Sequence, residues 1–306
     1  MVPSQLVDLL TAGEAFDDFV FYALDRLPAN GEELKTDAFS RSPGGGAVIT
    51  AVAAARLGLR CAVMSGLSDE GERLLLDEGV SVRNLRRPEE PAALTVALST
   101  RRNRRFLTFD GMNDRLPDRL RRLLPRARAR HVHLAFYPRP CRPWLGVVQT
   151  LRRRGVTTSW DFGWNPQLVR DPQFRALSGA VDYLFLNRDE ALMYARQATL
   201  AGALDRWRGN VRHVVIKLGA SGSRLVGGGV DVRAAAPRTR VVDTTGAGDA
   251  FNAGFLVAKL RGGSLHAALR LANCVGAFST RRAGGIAGLP PRRRAAPSAA
   301  RSRKIV

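Results

Sequence analysis

Asp243-Thr244-Thr245-Gly246-Ala247-Gly248-Asp249-Ala250-Phe251 is the stretch on which the fold turns. The residues before it, 240–242, predict a short β-strand, and the apolar run over 250–260 predicts a long helix. At a helix start the first backbone N–H groups have no intrahelical partner and point outward. Aligned peptide dipoles add roughly half a positive charge there, which makes the position an anion site, for phosphate above all. Glycine lets the backbone approach the anion with no side chain in the way. Asp249 then sets a carboxylate beside that cradle, where charge repulsion alone would not put it. A plain glycine-rich cap with Asp249 as a first-turn dipole partner is the simpler alternative. A carboxylate at a phosphate cradle makes chemical sense when it takes a proton from an attacking hydroxyl. The chemistry implied is phosphoryl transfer to an alcohol.

The 306-residue chain is 45% hydrophobic, enough for one large core with an appended lid. No apolar run approaches the ~20 residues a membrane span needs. The N-terminus lacks the basic-then-apolar layout of a secretory signal. Cys61, Cys141 and Cys274 lie far apart in apolar surroundings and read as buried free thiols in a reducing compartment. The expected location is the cytoplasm. A net charge of +21 and a pI near 11.4 raise nucleic acid as a partner. The arginines are dispersed, however, as in Arg121-Arg122 and Arg152-Arg153-Arg154, and aromatics make up only 7%. That pattern argues against nucleic acid and fits the arginine-rich usage of a GC-rich genome.

Residues 7–12, ending at Gly13, predict a first buried strand. Residues 19–23 and 33–39 read as strands joined through Pro28 and Asn30-Gly31. Gly44-Gly45-Gly46 opens an alanine-rich helix over 47–57, closed by Gly58. Residues 61–64 form the next strand, and 92–99 and 105–109 read as two strands around a basic turn. From His131 onward, strands over 131–136, 157–161, 183–186, 214–217 and 241–242 alternate with helices such as 144–154, 188–196 and 265–280. This alternation implies a mainly parallel sheet with helices on both faces. Ligands in such sheets bind at the carboxyl ends of the strands. Asp161, Asn187, Gly219 and Asp243 all fall just past strand ends. Residues 290–306 hold six basic residues, no acidic ones and no apolar period, and predict a disordered tail after one domain over 1–289.

DTTGAGDAFNAGF, residues 243–255, resembles the C-terminal signature of the ribokinase-type (PfkB) carbohydrate kinases. The resemblance runs over roughly residues 7–289 in the family's motif order. It implies a ribokinase-like α/β fold, a mainly parallel central sheet flanked by helices with a small β-sheet lid. Strands within 19–39 and 92–109 would build that lid. The implied activity is ATP-dependent phosphorylation of a hydroxymethyl group on a small carbohydrate, with Mg²⁺ bridging the ATP phosphates. Asp249 falls on the general base, and Gly246, Ala247 and Gly248 on the anion hole. A nucleoside kinase of the same superfamily, or a non-catalytic binding protein on the same fold, are the rival readings. An open lid sheet offers an edge through which two copies could pair as a homodimer.

The other motifs extend the resemblance. Pro43-Gly44-Gly45-Gly46 and the helix after it resemble the N-terminal signature, in which Gly44 and Gly45 lie against the sugar. The family usually has asparagine where this chain has Ile49, so one polar sugar anchor is missing. The run Gly13-Glu14-Ala15-Phe16-Asp17-Asp18 places a hydroxyl-binding carboxylate at Asp18, with Asp17 the alternative. Asp161 is a further substrate-side candidate, with Trp164 offering an apolar face nearby. Asp69-Glu70-Gly71 matches a family sugar-binding turn, although the helix up to Gly79 is shorter than usual. Asn187, Lys217, Gly219, Gly222, Thr244 and Asn273 fall on the ATP side. Asn187-Arg188-Asp189-Glu190 resembles the Asn-x-x-Glu motif that organises Mg²⁺ through water, and it equally reads as a helix capping box. Asp243 with Thr245 matches the place where several relatives hold a monovalent cation such as K⁺. His131 and His133 share one strand face with no third metal ligand in view, and read as buried or edge histidines.

Overall fold

The computed structural model describes residues 6–100 and 104–292. In chain order the strands are β1 (Val7–Gly13), β2 (Phe16–Leu24), β3 (Phe39–Gly44), β4 (Cys61–Ser65), β5 (Ser81–Asn84), β6 (Leu94–Thr100) and β7 (Arg104–Phe109). They continue as β8 (Ala129–Ala135), β9 (Thr157–Asp161), β10 (Tyr183–Asn187), β11 (Val214–Lys217), β12 (Ser223–Gly227) and β13 (Val230–Ala234). The helices are α1 (Gly46–Arg56), α2 (Asp69–Asp77), α3 (Leu116–Leu123), α4 (Cys141–Arg153), α5 (Phe174–Ala180), α6 (Arg188–Ala195), α7 (Leu200–Arg208), α8 (Ala247–Leu260) and α9 (Leu265–Ser279).

Nine strands form a large sheet in the order β13-β12-β11-β10-β9-β8-β1-β4-β5. Pairing is parallel from β5 to β11 and antiparallel through β12 and β13. The central strands are near-continuous apolar runs, as expected where helices cover both faces. Helices α3 to α7 contribute to the core on one face, and α1, α2, α8 and α9 to the core on the other. A second sheet has the order β3-β2-β6-β7, with β2 and β6 parallel and the outer pairs antiparallel. The mainly parallel sheet with helices on both faces and the separate small sheet agree with the sequence reading.

Trp160, one residue before the end of β9, shows how the core supports the strand ends. It is fully buried, with its ring 5.2 Å from Phe136 and 5.4 Å from both Trp144 and Phe162. Its indole N–H donates to the Phe136 carbonyl at 2.7 Å. Trp160→Ala should cost about 3–5 kcal/mol from the cavity it leaves. A urea titration followed by circular dichroism checks this, and a loss under about 1 kcal/mol would contradict it.

Some expectations need correction. Residues 241–242 do not form a strand. Val241 and Val242 are 57% and 60% exposed, and the Val242 and Asp243 amides donate instead to the Thr280 carbonyl at the end of α9. Residues 33–38 are likewise irregular: the third strand starts at Phe39 and carries Pro43-Gly44 at its end. The polar run Glu32-Glu33-Leu34-Lys35-Thr36-Asp37 offers no alternating apolar face, and Glu32 turns back to pair with Arg26. Cys274 is exposed on α9, whereas Cys61 and Cys141 are buried. The predicted basic turn at 101–103 lies outside the described residues. So does the predicted tail from 293 onward, while Arg292 donates to the Asp77 carbonyl.

Candidate active site

The long helix starts at Ala247, three residues earlier than its apolar run, because Gly246 caps it with φ 71°. A side chain in this left-handed region is strained, which favours glycine. The side chain of Ile49 fills the space below: a β-carbon on Gly246 would lie 3.0 Å from Ile49 Cδ1. Ile49 therefore backs the turn with an apolar wall and is 3% exposed. The Ala247 amide bends back to the Thr244 carbonyl at 3.2 Å. The first i→i−4 bond runs from Ala250 to Gly246, so the Gly248 and Asp249 amides precede the helical ladder.

Asp249 sits where the N-termini of α1 and α8 meet. Thr50 of α1 donates to the Asp249 carbonyl at 3.3 Å. A β-carbon on Gly46 would lie 3.0 Å from Asp249 Oδ1, so the carboxylate rests directly on the start of α1. Burial pushes this carboxyl up to about 7; Asp161 adds to the rise, Lys217 opposes it, and Glu190 and Asp18 add more.

The small sheet delivers Asp18 to the same region. A β-carbon on Gly44 would lie only 1.8 Å from Asp18 Oδ2. Burial, with help from neighbouring Asp17, pushes Asp18 up to about 7. Asp17 is otherwise engaged: it accepts from Ser68 Oγ at 2.8 Å and pairs with Arg41 at 3.6 Å. Gly45, the cap of α1 with φ 96°, lies over the Glu14 carbonyl, 2.4 Å from where its β-carbon would be. Glu14 is also pushed up to about 7, by burial and then by Asp110. In the Asp69-Glu70-Gly71 turn, Glu70 pairs with Arg41 of β3 at 2.7 Å.

At the other side of Asp249, Asp161 Oδ2 accepts from Lys217 Nζ at 2.7 Å and from Asn252 Nδ2 at 2.8 Å. Asp161 Oδ1 accepts from the Gly163 amide at 3.2 Å. The Asp161 carboxylate is thus committed to Lys217, α8 and its own loop, while Trp164 stands 61% exposed beyond it. Sequence reading missed Asn252. Its only signal is its place three residues after Asp249, which puts both on one helix face.

Asn187 and Glu190 form a reciprocal capping box at the start of α6, with 2.8 Å bonds in both directions. Burial, then Asp161, raises the Glu190 carboxyl. Gly219 and Gly222 take φ 59° and 88° in the turn from β11 to β12, and Thr244 is exposed two residues before Gly246. Asn273 is turned inward, its amide donating to the Ala234 and Ala235 carbonyls at 3.0 and 3.3 Å. Asp243 accepts from Thr245 through Oδ1 and from the Gly284 amide through Oδ2. Its carboxylate oxygens thus meet protein donors, which ties the loop after α9 to the start of the motif.

His131 and His133 bracket Ser159 Oγ at 2.8 Å each. Burial holds both neutral, at about 3 and about 4. Among the described residues no group of three or more His, Cys, Asp or Glu is placed to hold a metal ion. No described helix is long and apolar enough to cross a membrane.

Comparison with known proteins shows the family and the fold. The family model described as pfkB family carbohydrate kinase matches residues 8–292. The chain is 30% identical over 298 residues to an ATP-dependent ribose-1-phosphate kinase of Halopiger xanaduensis, covering 91% of this chain and 94% of that protein. It is 34% identical over 239 residues to an acarbose 7(IV)-phosphotransferase of an Actinoplanes species, covering 73% and 75%. A probable sugar kinase from Rhizobium etli shares the fold, with a TM-score of 0.77 at 23% identity over 93% of this chain and 95% of that one. The chain belongs to the pfkB family of carbohydrate kinases, ATP-using phosphotransferases with an alcohol group as acceptor.

Proposed function

We propose that the chain transfers the γ-phosphate of MgATP to a hydroxymethyl group of a small carbohydrate. The observation that carries this reading is Asp249, a carboxylate with its pKa near 7 set at the meeting of two helix N-termini. A base poised near neutral pH is well matched to taking a hydroxyl proton. The acceptor oxygen attacks the γ-phosphorus and its proton passes to Asp249. The new O–P bond forms as the bond to the bridging oxygen breaks, and that electron pair leaves with ADP. The Gly246 and Gly248 amides face the charge on the transferred group, the Ala247 amide being taken by the Thr244 carbonyl, and their fixed dipoles require no reorganisation during the reaction.

Asp18 is our acceptor ligand on the substrate side, since Asp17 is occupied by Ser68 and Arg41. Gly44 and Gly45 let the acceptor approach the start of α1. The small sheet would act as a lid that excludes water. Asn187 and Glu190 suit a water-mediated hold on Mg²⁺, because the capping box leaves their remaining oxygen lone pairs for water. Mg²⁺, when bound with ATP, neutralises charge on the phosphates. Gly219, Gly222 and Thr244 line the nucleotide side, with Asn273 fixing the wall behind them. Asp243 we assign to holding the loop after α9, since its oxygens already meet protein donors.

The test is ADP release from MgATP across sugars, polyols and nucleosides. Acceptor-dependent release with one carbohydrate class is the expected result. Release with nucleosides alone would replace the acceptor assignment, and none with any acceptor would overturn the proposal.

A further inference from the structure

We propose that Lys217 is a cationic arm of the anion hole that touches the transferred phosphoryl group, and that Asp161 and Asn252 are the residues that position it. This rests on the kinase reading above.

The geometry is specific. Lys217 ends β11, and its Nζ lies 3.2 Å from where a β-carbon on Gly248 would stand. The ammonium therefore rests against the face of the very glycine whose amide opens toward the anion. Lys217 carries three N–H donors. One goes to Asp161 Oδ2 at 2.7 Å, the single acceptor for it among the described residues. The others remain for a ligand, and the side chain keeps 14% of its surface exposed. Burial alone would lower the Lys217 pKa, but Asp161 and then Glu190 outweigh it, so the amine stays charged. Asp161 is itself anchored twice more, by the Asn252 amide from α8 and by the Gly163 amide. Because Asn252 and Gly248 lie on the same helix, the clamp ties the ammonium to the helix that carries the anion hole.

In the reaction already described, negative charge is spread over the three equatorial oxygens of the transferred group. A fixed ammonium at Gly248 meets that charge without changing the atom or proton balance. Asp249 still takes the hydroxyl proton and ADP still leaves with the bridging electron pair.

Four groups act electrostatically on the Asp249 carboxyl: Asp161 from β9, Lys217 from β11, Glu190 from α6 and Asp18 from β2. Asp161 and Lys217 act on it with opposite sign. The experiment is steady-state kinetics on the full chain with Lys217→Met, Lys217→Arg, Asp161→Asn and the double variant Lys217→Gln/Asp161→Asn. Wild-type turnover is established first in the same assay. Lys217→Met should lower kcat by about 10²–10³-fold, the scale of losing one oxyanion-hole donor, while acceptor KM moves less than about threefold. Lys217→Arg should recover about tenfold or more of that loss, since the cation is kept. The acid limb of kcat/KM should move to higher pH without the Lys217 charge and to lower pH in Asp161→Asn. A lysine that only neutralises Asp161 would give the opposite answer in the double variant, where neither charge is left unpaired. A folded double variant with kcat within about threefold of wild type would overturn the inference. Loss in the double variant as deep as in Lys217→Met supports it. A silent wild type would count against the kinase reading itself, and active wild type with active double variant against Lys217 alone.

Discussion

Asp249→Asn should lower kcat by at least ~10²-fold, the low end of what a positioned general base contributes, in a protein that remains folded. The amide has nearly the shape of the carboxylate, so the start of α8 and its contact with Gly46 survive. What disappears is the proton acceptor. The pH dependence separates this from incidental damage. With Asp249 at about 7, wild-type kcat/KM rises as pH climbs through 7, because the base works only when ionised. The residual rate of the variant should lack that limb. Stability should move the other way. The folded pKa of Asp249 lies above its ordinary value of 3.8, so between about 4 and about 7 the native state holds more protons than the unfolded chain. Stability therefore falls as pH rises through this window, and Asp18 and Glu14, each at about 7, push in the same direction. Removing the Asp249 charge relieves its share. The variant should melt at the same or a higher temperature than wild type at pH 8, which thermal melts at pH 5 and pH 8 would check. Near-normal kcat would overturn the assignment of the base.

The parts of this site that were legible in the sequence are the local ones. Gly246 to Asp249 and the capping box of Asn187 and Glu190 declare themselves because a helix start needs particular residues within four positions. The apolar run over 214–217 reads as a strand, and β11 has those bounds. What failed was the assignment of short apolar pairs and polar runs with no partner in view. Val241 and Val242 look like a strand, yet the Val242 and Asp243 amides donate to the Thr280 carbonyl at the end of α9 and not to a sheet edge. The pairing of Asp161 with Lys217 spans 56 residues and that with Asn252 spans 91, so no spacing rule reports them. The division of labour between Asp17 and Asp18 was likewise invisible, because Ser68, which engages Asp17, lies 51 residues away. Ile49 is the instructive case. Its departure from the family's usual asparagine was plain in the sequence, but only the fold places it beneath Gly246, where an apolar side chain supports the turn.

Gly44→Ala should raise the acceptor KM by about tenfold or more and leave the KM for ATP within about twofold, if Asp18 anchors the acceptor through charge-assisted hydrogen bonds worth about 1.5–3 kcal/mol. The added carbon would fall 1.8 Å from Asp18 Oδ2 and 2.5 Å from its Cγ, so the whole carboxylate must swing away, not only its tip. Nothing about the backbone forbids alanine there, since Gly44 is absent from the glycines with positive φ. The expected effect is therefore one transmitted through Asp18. Gly146→Ala is the matched control: its β-carbon meets nothing within 4 Å on α4, and both KM values should stay unchanged. Combining Gly44→Ala with Asp18→Ala makes the logic strict. If alanine at 44 acts only by displacing Asp18, the double variant should match Asp18→Ala alone, because two changes that remove one shared interaction do not add. Additive losses would mean that Gly44 contacts the acceptor independently, through its own backbone, and that the carboxylate is only one of two anchors at the start of α1.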